Sequence, residues 1–186
     1  VGGWGETIGD EGSGHWIGWR VLGRVSQSLD GRAAPTRLVD AVFKALKLDH
    51  ADPVNGLEGW VSRLTHPRSQ ISSLAAVCGA AAEAGDAGAI AILEEAAVEL
   101  ARHFHAIAKW AGPALPWSYA GGTFNSRVLR DAVTARIGSP PKPPVLPPIG
   151  GALLAAAQHL DWPMQQAWIE RLAAAIEATP AKDCAL

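Results

Sequence analysis

Gly2-Gly3-Trp4-Gly5-Glu6-Thr7-Ile8-Gly9-Asp10-Glu11-Gly12-Ser13-Gly14 opens the chain, and the rest is read outward from it. The segment has no hydrophobic periodicity, yet Trp4, Ile8 and Asp10 are not linker residues, so it reads as a structured loop. Glycine lets a backbone approach a ligand closely and take positive φ without a Cβ clash. Asp10 and Glu11, held between glycines, suit acceptance of hydrogen bonds from sugar hydroxyls. A carboxylate so placed discriminates well, because an analogue lacking the hydroxyl leaves it unpaired. A second reading stands beside this one: the two carboxylates cap the helix that follows.

That helix is expected from Ser13, which can cap free N–H groups, through Trp16, Ile17, Val21, Leu22 and Val25 to the turn at Asp30-Gly31. Thr36 is a candidate N-cap for a helix to about Leu46 or Leu48. Asp52-Pro53 opens a short one with Leu57, Trp60, Val61 and Leu64 on one face. Pro67 introduces another, through Ile71, Leu74 and Cys78 to Gly85. Asp86 then caps a long helix with Ile90, Leu93, Ala97, Leu100, Phe104 and Ile107 on its apolar side, ending at Gly112-Pro113.

Pro116-Trp117-Ser118-Tyr119-Ala120 reads as a short strand. Gly121-Gly122 breaks it, and Asn125 or Ser126 caps a helix to about Ile137. A strand entering a helix through glycines can receive a nucleotide at the helix N-terminus. An ordinary capped turn is the plainer reading of the same residues. Ser139 to Pro148 is proline-rich and extended, a rigid connector or, alternatively, a ligand for a proline-binding module. Gly150 to Leu160 is an alanine-rich helix, and Trp162-Pro163 starts the last one. The pattern is α/β with helices dominating and a short sheet.

The bulk properties narrow the class. Among 186 residues, 48% are hydrophobic and 18% charged, which suits a packed core and argues against disorder. A net charge of −2 argues against nucleic acid or an anionic membrane as the main partner. No apolar run is long enough to span a bilayer, and a cytoplasmic protein is the expectation. Cys78 and Cys184 are too few and too far apart for a disulfide framework or a zinc site, and are read as free thiols. His103 and His105, two apart, cannot form the i, i+4 pair of a helical metal site. The eight tryptophans read as core and packing residues, except Trp4 within the loop. The chain starts Val1-Gly2-Gly3 and its sole methionine is Met164, which reads as a piece of a longer protein.

Gly-Trp-Gly-x-x-x-Gly-Asp-Glu-Gly-Ser-Gly-x-Trp-Ile-Gly, from Gly3 to Gly18, resembles the signature of the N-acetylglucosamine/glucosamine kinase family, within the wider BadF/BadG/BcrA/BcrD ATPase group of the actin-like superfamily. Asp30-Gly31-Arg32 with Thr36, the Gly85-Asp86 step, Ala120-Gly121-Gly122-Thr123 and Pro147-Pro148-Ile149-Gly150-Gly151-Ala152 match in order, so the resemblance covers about residues 1–160. It implies the C-terminal lobe of an actin-like (ribonuclease H-like) ATPase fold, spanning 1–186 as one lobe. That lobe would comprise a sugar loop (1–14), a helical region (15–112), a nucleotide-binding strand-turn-helix (116–137) and terminal helices (149–178).

By the same resemblance, Gly3, Trp4, Gly5 and Asp10, with the adjacent Glu11, bind the amino sugar. Gly121, Gly122 and Asn125 bind nucleotide. The implied reaction transfers the γ-phosphoryl group of ATP to a sugar 6-hydroxyl with Mg2+, mainly by positioning and charge stabilisation. Both phosphate loops and the catalytic base of the family are expected upstream, in the missing N-terminal lobe. No catalytic or metal residue is therefore assigned here, and the isolated chain is expected to be inactive. A homodimer is a further expectation. Two alternatives are an ATPase activator of an acyl-CoA dehydratase or reductase, with an iron–sulfur cluster, and a non-catalytic lobe that only binds sugar or nucleotide.

Overall fold

The computed structural model describes residues 1–112 and 114–179; Cys184 lies outside them. Two compact units divide the chain, one of residues 1–117 with 122–140, the other of 118–121 with the residues from 141 onward.

In the first unit, α1 (Gly14–Leu29) starts where Ser13 accepts a hydrogen bond from the Trp16 N–H. It buries Ile17, Val21, Leu22 and Val25, the stripe expected from the spacing. α2 (Leu38–Leu46) begins one residue later than Thr36 would place it, with Arg37 as its N-cap. The Thr36 hydroxyl still accepts from the Leu38 N–H while donating to Asp86. α3 (Pro53–Ser62) is capped by Asp52.

The single helix expected from Pro67 to Gly85 is broken into α4 (Pro67–Ser72) and α5 (Leu74–Glu83). Ser72 and Ser73 donate their hydroxyls back to the carbonyls of Ser69 and Gln70 at 2.9 and 2.7 Å. Such back-bonding competes with the helical ladder and bends it. α6 (Ala87–Ala111) is capped by Asp86 and ends at Gly112. Its buried face is Ala89, Ile92, Leu93, Ala96, Ala97 and Ala101, so the apolar side rotates away from the expected Ile107, which is exposed. α7 (Arg127–Ile137) follows a 3-10 turn over Gly122–Asn125.

α1, α2, α4, α6 and α7 surround α5, and Phe43, Ile17, Leu38, Ile71, Leu74, Leu93 and Leu129 fill the centre. The tryptophans of this unit stay out of that centre. Trp16, Trp60 and Trp117 pack at its edge, while Trp4, Trp19 and Trp110 are 75%, 49% and 90% exposed.

No strand is found among the described residues, which corrects the expected strand at 116–120 and its short sheet. A strand persists by pairing its backbone groups. The neighbouring run holds Pro140, Pro141, Pro143 and Pro144, which have no N–H to donate to a ladder. Instead the Trp117 indole N–H donates to the Ser139 carbonyl at 2.8 Å. In the second unit the Ser118 hydroxyl donates to the Lys142 carbonyl at 2.7 Å. That unit otherwise holds α8 (Pro148–His159) and α9 (Gln166–Ala178). Its last helix starts three residues beyond Pro163.

Candidate functional site: a glycine loop and a glycine turn on one cavity

The glycine loop folds back on itself and onto α6. A Cβ on Gly9 would lie 2.7 Å from the Cβ of Trp4, and one on Gly12 would lie 2.7 Å from Leu100 Cγ and 3.0 Å from the Ala96 carbonyl. At Gly12, φ is 79°, a conformation that L side chains rarely adopt. The loop backbone at Gly3 and Gly5 faces open space, where a Cβ would meet nothing within 4 Å. Trp4 projects outward beside them.

Asp10 is the anchored residue of the loop. Its Oδ2 accepts from the Ser13 hydroxyl at 2.7 Å and faces His15 Nδ1 at 3.5 Å. Its Oδ1 accepts from Arg68 Nη2 at 3.0 Å. The donor-only indole of Trp19 gives its N–H to His15 Nε2 at 3.1 Å, so Nε2 is the acceptor nitrogen and Nδ1 carries the proton facing Asp10. Partial burial pushes the Asp10 carboxyl up, but the Ser13 hydroxyl and the Arg68 guanidinium outweigh it. The group is held below the usual carboxylate range. Asp10 therefore stays ionised with one face organised by the protein. Glu11 is exposed and takes no part in this network. Ser13, not a carboxylate, is the side chain that caps α1.

The second motif arrives beside the first. A Cβ on Gly14 would lie 3.3 Å from Thr123 Oγ1, and one on Gly79 would lie 3.2 Å from Ser126 Cβ. These two glycines let α1 and α5 close on the Gly122–Asn125 turn. Ser126 caps α7 by accepting from the Leu129 N–H, and Glu83 at the end of α5 accepts from the Arg127 N–H at 3.1 Å.

Between the motifs lies a cavity of about 440 Å³ lined by Ser13, Gly14, His15, Arg68, Ser72, Ser73, Ala75, Ala76, Gly122, Thr123 and Asn125. A smaller hollow of about 210 Å³ shares the glycine turn and runs along Ala75, Ala76, Gly79 and Ala80 of α5. Gly122 and Asn125 thus meet the end of the glycine loop at Ser13 and Gly14, whereas Gly121 and the loop residues Gly3, Trp4, Gly5, Asp10 and Glu11 are not among the lining residues. A larger hollow of about 490 Å³ between α1 and α3 is lined mainly by Trp19, Leu22, Val54, Leu57 and Val61. Its polar lining residues are Ser26, Asp30, Glu58 and Ser62. Among the described residues no group of three or more His, Cys, Asp or Glu could hold a metal ion. No single helix is long and apolar enough to cross a membrane.

Sequence reasoning missed Arg68. It lies 58 residues from Asp10, in a stretch with no motif, and the only signal is local: Pro67 places it in the first turn of a helix.

The end of the loop and the glycine turn together frame one cavity, and Ser13, His15 and Arg68, the three groups that face the ionised Asp10 carboxylate, are among its lining residues. The profile of the BadF/BadG/BcrA/BcrD ATPase family matches residues 1–155, and the chain belongs to that family. An N-acetylmuramic acid/N-acetylglucosamine kinase of Clostridium acetobutylicum is 39% identical over 100 residues, 53% of this chain and 31% of that protein. The crystal structure of a candidate N-acetylglucosamine kinase from Chromobacterium violaceum superposes with a TM-score of 0.62 at 31% identity, over 83% of this chain and 50% of that one. The chain thus spans half or less of the length of these relatives.

Proposed function

We propose that this chain supplies part of the sugar and adenosine sites of an ATP-dependent amino-sugar kinase, which phosphorylates N-acetylglucosamine or glucosamine at the 6-hydroxyl. The observation that carries this reading is that the end of the glycine loop, Ser13 and Gly14, lines one cavity with the Gly122–Asn125 turn, with Asp10 held just behind it by Ser13 and Arg68. The kinase names of the similar proteins point the same way.

Asp10 accepts hydrogen bonds from sugar hydroxyls through the lone pairs that Ser13 and Arg68 leave free. Gly3 and Gly5 let the sugar approach the backbone, Trp4 offers an apolar face to the ring, and Glu11, exposed beside Asp10, is a further acceptor. The strip Ala75, Ala76, Gly79 and Ala80 has no bulky side chain, so a flat base can lie along it beside Gly122 and Asn125, with Gly121 before the turn. Catalysis of this class is chiefly positioning and charge stabilisation. The role of these residues is to hold the acceptor sugar and the nucleotide in register. The base and the phosphate loops belong to a further lobe. Magnesium would travel with the nucleotide phosphates, since the donor set of this chain's described residues does not fit a protein-held ion.

The test is turnover of glucosamine, N-acetylglucosamine and glucose by the full-length gene product, with and without Asp10→Ala. Amino-sugar turnover that falls by about a hundredfold or more on the substitution is expected, as for an acceptor removed from a hydroxyl-reading site. Absence of turnover on all three sugars would reject the kinase reading and move the function to another branch of the family.

A further inference from the structure

Arg68 is the second residue of α4, a helix of six residues. Its Nη1 donates to Glu6 Oε2 at 2.9 Å and its Nη2 to Asp10 Oδ1 at 3.0 Å. The fork therefore ties two points of the glycine loop to one helix. Gly18 sets the reach: a Cβ there would lie 2.0 Å from the Ile71 carbonyl, so α1 and α4 touch backbone to backbone. Asp10 then has each carboxylate oxygen engaged, Oδ1 by Arg68 and Oδ2 by Ser13.

The two ion pairs differ. The Asp10 side chain is 18% exposed, whereas those of Glu6 and Arg68 are 61% and 52% exposed. An ion pair as open as that of Arg68 with Glu6 contributes little to folding. Stability alone does not account for an arginine whose two fork nitrogens take two carboxylates of the same ligand loop. Arg68 also lines the cavity shared with Gly122 and Asn125.

We propose that Arg68 is a positioning residue of the sugar site, its planar fork fixing the Asp10 carboxylate in one orientation and tying it to the earlier part of the loop at Glu6. The proposal rests on the reading of Asp10 as the acceptor of sugar hydroxyls. Lysine, a point charge, cannot bridge two carboxylates in one plane as the guanidinium does.

The experiment compares wild type, Arg68→Ala, Arg68→Lys and Glu6→Gln in the full-length protein. It measures kcat, KM for N-acetylglucosamine or glucosamine, KM for ATP, the pH profile of kcat/KM and the urea midpoint. Arg68→Ala is expected to raise the sugar KM about tenfold while the ATP KM stays within about twofold, the pattern of lost sugar positioning. Arg68→Lys recovers little of this, and methylguanidinium added to Arg68→Ala recovers part. Glu6→Gln, which leaves the Asp10 contact in place, raises the sugar KM by only about twofold.

The groups facing Asp10 are Ser13, the N-cap of α1, His15 of α1 and Arg68 of α4, with Glu6 beyond Arg68. Removing Arg68 takes away a group that favours the ionised form, so the acid limb of the profile moves to higher pH. An unchanged sugar KM and acid limb in Arg68→Ala, or equal rises in both KM values with a lowered urea midpoint, overturns the proposal. So does a Glu6→Gln effect as large as that of Arg68→Ala. An inactive wild-type protein overturns the kinase reading and this proposal with it; an active one indifferent to Arg68 overturns this proposal alone.

Discussion

Asp86 keeps a carboxylate charged inside a helical core. It is 6% exposed, and its oxygens accept from the Thr36 hydroxyl at 2.8 Å, the Arg37 N–H at 2.9 Å and the Ala89 N–H at 2.8 Å. Burial raises its pKa, but the N–H groups of Ala89, Arg37 and Gly88 and the Thr36 hydroxyl prevail, and the group lies below the usual carboxylate range. Because the folded value is the lower one, its stabilisation is present above the ordinary carboxylate pKa and is lost as pH falls through the depressed value. Asp86→Asn turns one acceptor into a donor facing donors and is expected to cost about 2 kcal/mol at neutral pH. Urea midpoints at pH 7 and near pH 3 check it: the difference between wild type and variant shrinks in acid as the wild-type carboxylate is protonated. The capping role of Asp86 was legible from the Gly85-Asp86 step, as Ser13 was from its place before an apolar stripe. The partners Thr36 and Arg37, some 50 residues away, were not, because nothing local encodes them.

Elements in this chain meet through glycines, and the cost of a methyl group measures how closely. Gly18→Ala places a Cβ 2.0 Å from the Ile71 carbonyl, forcing α1 from α4. Overpacking of that kind is expected to destabilise by about 3 kcal/mol. The same shift withdraws Arg68 from Asp10. Gly23→Ala, in the same helix, meets nothing within 4 Å and is expected to stabilise by up to about 1 kcal/mol through helix propensity. Opposite movements of the urea midpoint in the two variants are the measurement; a Gly18→Ala midpoint equal to wild type contradicts the close crossing. The helices themselves were legible from period and caps, at α1, α3, α6 and α7. The break at Ser73 escaped because serine is permitted in a helix, and only its back-bonds to the preceding turn show that the ladder yields there. The rotation of the buried face of α6 escaped for another reason. Alanine at 89, 96 and 101 gives a weak hydrophobic signal, yet these residues lie on the face that α6 buries against α5 and α7.

At the scale of the whole chain, the two units differ in core. The first buries a continuous set from Ile17 to Val133. In the helices of the second, Gly150 and Ala157 are the buried positions, and a Cβ on Gly150 would lie 2.9 Å from Ile176 Cδ1. Few buried apolar groups mean a low opening free energy. Amide hydrogens of α8 and α9 are expected to exchange at least about a hundredfold faster than those of α5 and the first half of α6; equal protection in both units contradicts this. The sequence by itself determined that residues 2–13 form a loop ahead of a helix, the caps and most helix bounds, because these depend on neighbours within a few residues. It also carried the family, through the ordered run from Gly3 to Gly18. Only the tertiary structure decided that the segment at 116–120 forms no strand, that Gly122 and Asn125 share a cavity with Ser13 and Gly14 at the end of the loop, and that Arg68 closes on Asp10. Each of these depends on which surfaces small residues allow to touch, and such contacts join positions with no relation in sequence.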